Sequence, residues 1–278
     1  ASTVTDAANA GWATPIANSG VMNYLNKFGY SAKSYKGKDP VSELYYTAIR
    51  YFKKLGNVDS YTSLAGAGNS ATAASWLDGF PAIRDWYGAD GNQDPILYSC
   101  QSNFILGIGD VYSHRDANLP GSSLTSANEP AVNAAITADT TVNVTTATNM
   151  VGQLEGFNNL GSTWTNCSGS RGNTFYIAGL AYDSHTRDIR ADWTGKQTIN
   201  TYWMDVHENV NYCHKNQYWL AAKYGGFKVS KSFDPYAAAN STTSILQNEW
   251  YSSADTLPFS GTNYEDSLAF STDAVANT

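Results

Sequence analysis

No stretch of this 278-residue chain approaches the roughly 18 to 20 consecutive apolar residues that a membrane-spanning helix needs, so a helical membrane span is excluded. Ala1 begins the chain without a Met and without the charged and apolar regions of a secretory leader, which implies a processed protein or a fragment. Charge is scarce as well: Asp, Glu, Lys and Arg make up 15% of residues, against roughly a quarter in an average soluble protein, and the net charge is −7. A phosphate backbone would meet no Lys/Arg field here, which excludes nucleic acid as a partner. The common catalytic signatures are missing too. There is no G-x-S-x-G elbow and no P-loop, and Gly107-Ile108-Gly109-Asp110 is too short for a dinucleotide fingerprint. His207, Glu208, Cys213 and His214 lie close in sequence, but their spacing is not the H-E-x-x-H that sets two imidazoles on one helical face; surface histidines are the expected reading. Cysteine is rare and odd in number, three in all, so at most one internal disulfide forms. Cys167 and Cys213 stand in polar, loop-like surroundings and are the expected pair. Cys100 is then either a core thiol or bonded to a sulfur outside these residues.

Ser, Thr, Asn, Gly and 19 Tyr fill the place of charge, a balance that suits a secreted or cell-surface protein. Eight Trp and 19 Tyr exceed what one core of this size needs. Aromatic side chains give large contact area at low entropic cost, so Trp76, Trp86, Tyr87, Trp250 and Tyr251 are candidate partner contacts. The chain is organised around Asp94 to Asp110. Within it, Phe104 to Ile108 is a short apolar run ending at Gly109-Asp110, the pattern of a parallel strand buried on both faces. Ligands of open α/β sheets sit beyond the carboxyl ends of the strands, which makes Asp110, with His114 and Asp116 just after it, the place where chemistry is expected.

Residues 1–38 read as an irregular lead-in. Val41, Leu44, Tyr45, Ala48, Ile49, Phe52 and Leu55 then recur at the spacing of one helical face, with Asp39 as N-cap, Pro40 at the first helical position and Gly56 as the left-handed stop. Residues 57–94 and 117–173 read as insertions, with a helix near the end of 117–150. Residues 174–190 predict a second packing helix whose small Ala178, Gly179 and Ala181 allow close approach to a sheet. The β-branched and aromatic run 198–206 predicts a strand, and 219–227 a short helix ended by glycines. Helix, strand, helix, strand, helix in that order argues an α/β layer fold in a single domain, with no internal repeat.

Five blocks of this sequence resemble the PilY/PilC proteins found with bacterial type IV pili. Asp39 to Phe52 resembles their "TP-x-x-E-x-L-Y-E-A-x-R-Y-F" helix, and Cys100 to Asp110 their "C-Q-x-N-F-I-x-x-x-T-D-G" strand. Ala178 to Arg190 resembles the "A-x-Y-x-x-x-x-D-I-R" helix. Gly195 to Tyr202 resembles "G-K-Q-x-x-x-T-Y", and Trp219 to Phe227 resembles "A-A-K-Y-G-G-F". The resemblance implies a doubly wound, Rossmann-like sheet of the von Willebrand factor A kind, carrying long loop insertions and incomplete at its N-terminus. Such domains often bind one divalent cation, Mg or Ca, through a D-x-S-x-S, a Thr and the Asp of T-D-G. Asp110 matches that last aspartate, with Gly109 in place of Thr and Val111 in place of Gly, and Asp39 stands where the threonine would be. No D-x-S-x-S occurs, and the β-propeller that usually follows is missing. Asp110 and Asp39 are therefore candidate ligands whose companions must come from other chain. Against this stand plainer roles, a loop-capping carboxylate for Asp110 and an N-cap for Asp39.

The resemblance further implies a non-enzymatic module exported through the periplasm to the cell surface. There it would bind minor pilins or other pilus components, a host or abiotic surface, or a missing segment of its own precursor. A secreted metal-dependent hydrolase built on Asp110, His114 and Asp116 is the alternative, and a structural fibre subunit a third.

Overall fold

The computed structural model describes residues 38–56, 58–62, 68–69, 94–110, 113–126, 129, 131–166, 169–205 and 215–237. The chain falls into two compact units, 1–37 with 56–93 and 38–55 with 94–278. In the first, the described residues include one four-residue helix, α2 (Asp59–Thr62). The second holds α1 (Val41–Phe52), β1 (Asn103–Gly109), α3 (Ala134–Ala138), α4 (Val144–Leu154), a 3-10 turn (Leu160–Ser162), α5 (Tyr176–Thr186), β2 (Ile199–Asp205) and α6 (Gln217–Tyr224). The expected alternation of helices and strands is there, with bounds that lie within a few residues of the predicted ones.

β1 and β2 pair in parallel, from Asn103 opposite Ile199 to Gly109 opposite Asp205. Among the described residues they form a two-stranded sheet. A parallel pair needs a crossover between its strands, and here it contains α3, α4 and α5. α5 is buried along its whole length, which is why its sequence shows no polar face. It packs against α1, α4, α6 and β2. Around it gather Met150, Val151, Leu160, Phe175, Tyr182, Leu220, Tyr224 and Phe227.

The small residue Gly179 does allow a close approach, but the neighbour is a helix: a Cβ there would collide with Thr148 of α4. Gly107 has a larger part. A Cβ on it would fall inside the ring of Trp203, its register partner on β2. The missing side chain is the space in which that indole lies flat, stacked on Tyr218 at 4.2 Å.

β1 is not buried on both faces. Its burial alternates, and Phe104, Leu106 and Ile108 are 50%, 66% and 64% exposed. On β2, Met204 is 50% exposed, and Tyr202 packs beside Phe104 at 5.7 Å. Among the described residues, one face of the sheet is covered by helices and the other is bare and apolar.

α1 differs from expectation in three respects. Pro40 is its N-cap residue and makes no side-chain cap bond, so Asp39 does not cap it. Its buried stripe is Ser42, Glu43, Tyr45, Tyr46, Ile49 and Arg50, whereas Leu44 is 70% exposed. The apolar spacing of the sequence is therefore rotated from the face that packs, which carries more polar groups. The stop is Lys54 rather than Gly56. Lys54 adopts φ +57° while its N–H bonds Tyr51 O, and the Leu55 N–H bonds Arg50 O at 3.0 Å, the paired bonds of a Schellman ending. α6 is capped by the Asn216 side chain, which accepts from the Tyr218 and Trp219 N–H groups.

Candidate functional site

Because the strands are parallel, their carboxyl ends share one rim. Asp110 follows β1 there, and Asp205 closes β2. The chain leaving β1 brings His114 and Asp116 to the start of α1. The His114 N–H bonds Asp39 O at 3.3 Å, and Nδ1 donates to Asp39 Oδ1 at 2.5 Å. Asp39 is thus held by His114. Burial raises its pKa, the His114 contact opposes this, and the nearby Asp110 adds to the rise.

Asp116 performs the capping expected of Asp39. It is buried, and its Oδ1 accepts the Ser42 N–H at 2.6 Å while its Oδ2 accepts the Ser42 hydroxyl at 2.6 Å. The Thr174 hydroxyl donates to Oδ2 at 3.2 Å. A carboxylate from a distant segment satisfies the open N–H end of α1 and lies at the positive end of its dipole. Beside it, buried Glu43 accepts the Asn118 N–H at 3.0 Å. Burial and then the charge of Asp116 push Glu43 up to about 8, and burial pushes Asp116 up to about 7 against its donors. Two carboxyl groups this close cannot both ionise cheaply, so the pair holds one proton near neutrality. Asp116 has more donors to its charged form than Glu43, which makes Glu43 the more readily protonated of the two.

Tyr218 is the remaining part of the rim. The fully buried tyrosines Tyr46, Tyr176, Tyr182 and Tyr224, and the nearly buried Tyr45, each find a hydroxyl partner: Asp139, Ser122, Pro235 O, Glu155 and Thr201 in turn. That is the norm for buried Tyr. The Tyr218 hydroxyl is buried with no hydrogen-bond partner among the described residues. Burial first, then the carboxylates of Asp116, Asp110, Asp39 and Asp205, hold its pKa well above the ordinary value. The sequence pointed to Asp39, Asp110, His114 and Asp116 and left Glu43, Tyr218 and Trp203 unmarked. Glu43 carried a signal, an acid in the first turn next to the helix's packing face. The other two carried none beyond their size.

As a cation site the rim falls short by itself. Asp39 and Asp110 are neighbours, yet magnesium and calcium take six or more oxygens. Among the described residues, no group of three or more His, Cys, Asp and Glu side chains is placed to hold a metal ion. As the catalytic trio of a hydrolase, Asp110, His114 and Asp116 are not brought to one point, since His114 bonds Asp39 and Asp116 is enclosed by α1 and Thr174. Cys100 is an exposed free thiol, not a core one. Cys167, Cys213, His207, Glu208 and His214 lie outside the described residues, as do Trp76, Trp86, Tyr87, Trp250 and Tyr251.

The polar residues of the other shared blocks are explained by the fold. Arg190 bonds both oxygens of Asp94 at 2.8 and 3.0 Å and both of Asp192 at 2.8 and 2.7 Å. Gln197 Nε2 donates to Ser99 O at 2.8 Å, and Gln101 Nε2 to Pro95 O at 2.7 Å. Together these side chains clamp the segments that lead into β1 and β2.

Residues 31–178, just over half of the chain, match the family described as PilY1 homolog, second domain. This chain belongs to the PilY1 family. A curated relative, the type IV pilus biogenesis factor PilY1 homolog of Xylella fastidiosa (strain Temecula1 / ATCC 700964), is 45% identical over an alignment of 238 residues that covers 81% of this chain and 19% of that protein. The chain therefore spans about a fifth of the length of that relative. No solved structure matches. The five blocks had pointed to the right family, and four of them contribute residues to the clamp and rim above. Among the described residues no helix is long and apolar enough to cross a membrane.

Proposed function

We propose that this chain is a non-catalytic module of a type IV pilus biogenesis protein at the cell surface, reached by export through the periplasm. Its α/β layer is of the von Willebrand A kind, and it works by holding minor pilins or another pilus component, or a host or abiotic surface. Family membership and the name of the Xylella relative support the pilus role. The observation that supports packing against further protein is the apolar face of Phe104, Leu106, Ile108, Tyr202 and Met204, bare among the described residues.

Parallel sheets are covered on both faces in stable proteins, and a contiguous exposed apolar patch marks an interaction surface. The occupant proposed is another segment of the same, longer polypeptide, because four-fifths of the relative's length lies outside the region this chain matches. A doubly wound sheet completed in this way is stiff, and its rim loops are left to make outside contacts. A cation at Asp39 and Asp110 joins the proposal only if the covering segment supplies the remaining oxygens.

The test is a full-length protein carrying Leu106→Lys with Ile108→Lys, compared with the same pair of changes in the 278-residue chain. Both side chains are exposed, so the short chain melts as its parent does. The full-length variant loses stability, and cells bearing it assemble few pili in electron micrographs. Normal stability with pili lost would assign the face to a pilus component rather than to the same polypeptide. Normal stability with normal piliation would overturn the proposal.

A further inference from the structure

At the amino ends of the strands, opposite the carboxylate rim, lies a cavity of about 290 Å³ walled by His185, Lys196, Thr198, Asn200 and the segment 226–231. The described residues that wall it carry ammonium, hydroxyl, amide and imidazole groups, and none of them is acidic. In a chain of net charge −7 that is a local reversal of sign.

Lys196 is the most buried of the three lysines that line it. Its ammonium donates to Phe233 O at 3.3 Å, and burial lowers its pKa while Asp188 and Asp234 offset part of its charge. Lys228 and Lys231 at the mouth are exposed and make no ion pair among the described residues. His185 Nε2 donates to Phe227 O at 2.8 Å, which puts the ring proton on that nitrogen. Nδ1 is buried and makes no hydrogen bond within ordinary geometry among the described residues. Phe227, packed on the His185 ring at 5.3 Å, and Val229 supply apolar wall.

We propose that this cavity binds a small organic oxyanion, its carboxylate or phosphate head among the ammonium groups of Lys196, Lys228 and Lys231 and its body against Phe227 and Val229. Charge-assisted hydrogen bonds from ammonium to oxyanion are the strong kind, and a lined recess of a few hundred Å³ suits a small ligand. The rim at the far end of the strands is acidic and would repel the same molecule, so binding is confined to this end.

The test is an NMR titration of the 278-residue chain with benzoate, phenyl phosphate, inorganic phosphate and benzyl alcohol, following the amides of Gly226, Val229 and Ser230. Benzoate or phenyl phosphate, whichever head the site prefers, moves these resonances saturably and binds at least tenfold tighter than inorganic phosphate, about 1.4 kcal/mol. Benzyl alcohol does not move them. Lys228→Ser with Lys231→Ser, both at exposed positions, leaves the spectrum folded and weakens binding by tenfold or more. The proposal is overturned if neither aromatic anion binds, if benzyl alcohol binds as well as they do, or if the double variant retains full affinity.

Discussion

Replacing Glu43 by Gln should make this protein more stable, by a margin that grows as pH rises through the window set by the Glu43 carboxyl. Glu43 is buried next to Asp116, and burial together with that charge raises it from 4.5 to about 8. In the unfolded chain the same carboxyl releases its proton near its ordinary value. Between those two values the folded state holds a proton that the unfolded state has lost, so stability falls as pH rises through the window. The slope is ~1.4 kcal/mol per pH unit, and across the window it reaches a ceiling of about 5 kcal/mol. Asp116 is coupled to Glu43 and shares this loss rather than doubling it.

The glutamine of the Glu43→Gln variant stays neutral, keeps an oxygen to accept the Asn118 N–H, and offers an amide N–H toward Asp116. Urea unfolding of both proteins followed by tryptophan fluorescence should give nearly equal stabilities at pH 5. At pH 8.5 the variant should lead by several kcal/mol, on the order of 3 to 5 by the same linkage. Stability curves that stay parallel from pH 5 to 8.5 would refute the reasoning, because Glu43 would then be ionised in the fold at no cost.

Gly107→Ala should destabilise by about 3 kcal/mol or more, the scale of an overpacked core, because the new methyl occupies the space of the Trp203 ring. A redshifted or weakened tryptophan emission should accompany the loss, and an unchanged melting temperature would show that the indole does not lie there. Arg190→Met should cost about 1 to 3 kcal/mol, since it removes the forked contacts to Asp94 and to the exposed Asp192. Arg190→Lys should recover only part of that, because an ammonium cannot reproduce the two forked contacts, and equal urea midpoints for Lys and Arg would refute the clamp.

Much of the fold was legible because periodicity and punctuation report local structure. β1, β2, α5 and α6 lie where their apolar runs and turn residues put them, and the order of elements gave the parallel pairing. What the sequence hid was always a contact with a distant segment. Asp39 has the position and chemistry of an N-cap, but the helix end is satisfied from Asp116, 74 residues away from Ser42, and nothing local records that. Leu44 is apolar and exposed, while Ser42, Glu43 and Arg50 are polar and buried. A helix that packs through hydrogen-bonded groups cannot be oriented by hydropathy. β1 read as doubly buried because its sequence is that of a doubly buried strand, and the bare face shows the same composition without a cover among the described residues.

That mismatch at β1 and the chemistry of the rim bear on one another. A fold of the von Willebrand A kind, expected from the sequence, would have rim carboxylates that meet a cation and hydroxyls. Here Asp39 is met by the His114 imidazole, Asp116 by the N–H end of α1, and Glu43 by a proton. Asp39 and Asp116 are thereby balanced by groups of the chain itself, and the Tyr218 hydroxyl, in the field of Asp110 and Asp205 as well, makes no hydrogen bond among the described residues, as is true of Trp203 Nε1. A segment covering the apolar face would lie alongside β1 and end beside Asp110. It would therefore be in position to bring a hydroxyl, a cation or a basic side chain to the rim. Covering the face and completing the rim become one event, so variants of the apolar face should also alter the Tyr218 environment in the full-length protein, read as a shift in the chemical shift of its labelled ring. In the 278-residue chain the same variants should leave the Tyr218 ring signal where it is, and a shift of equal size in both proteins would break the link between face and rim.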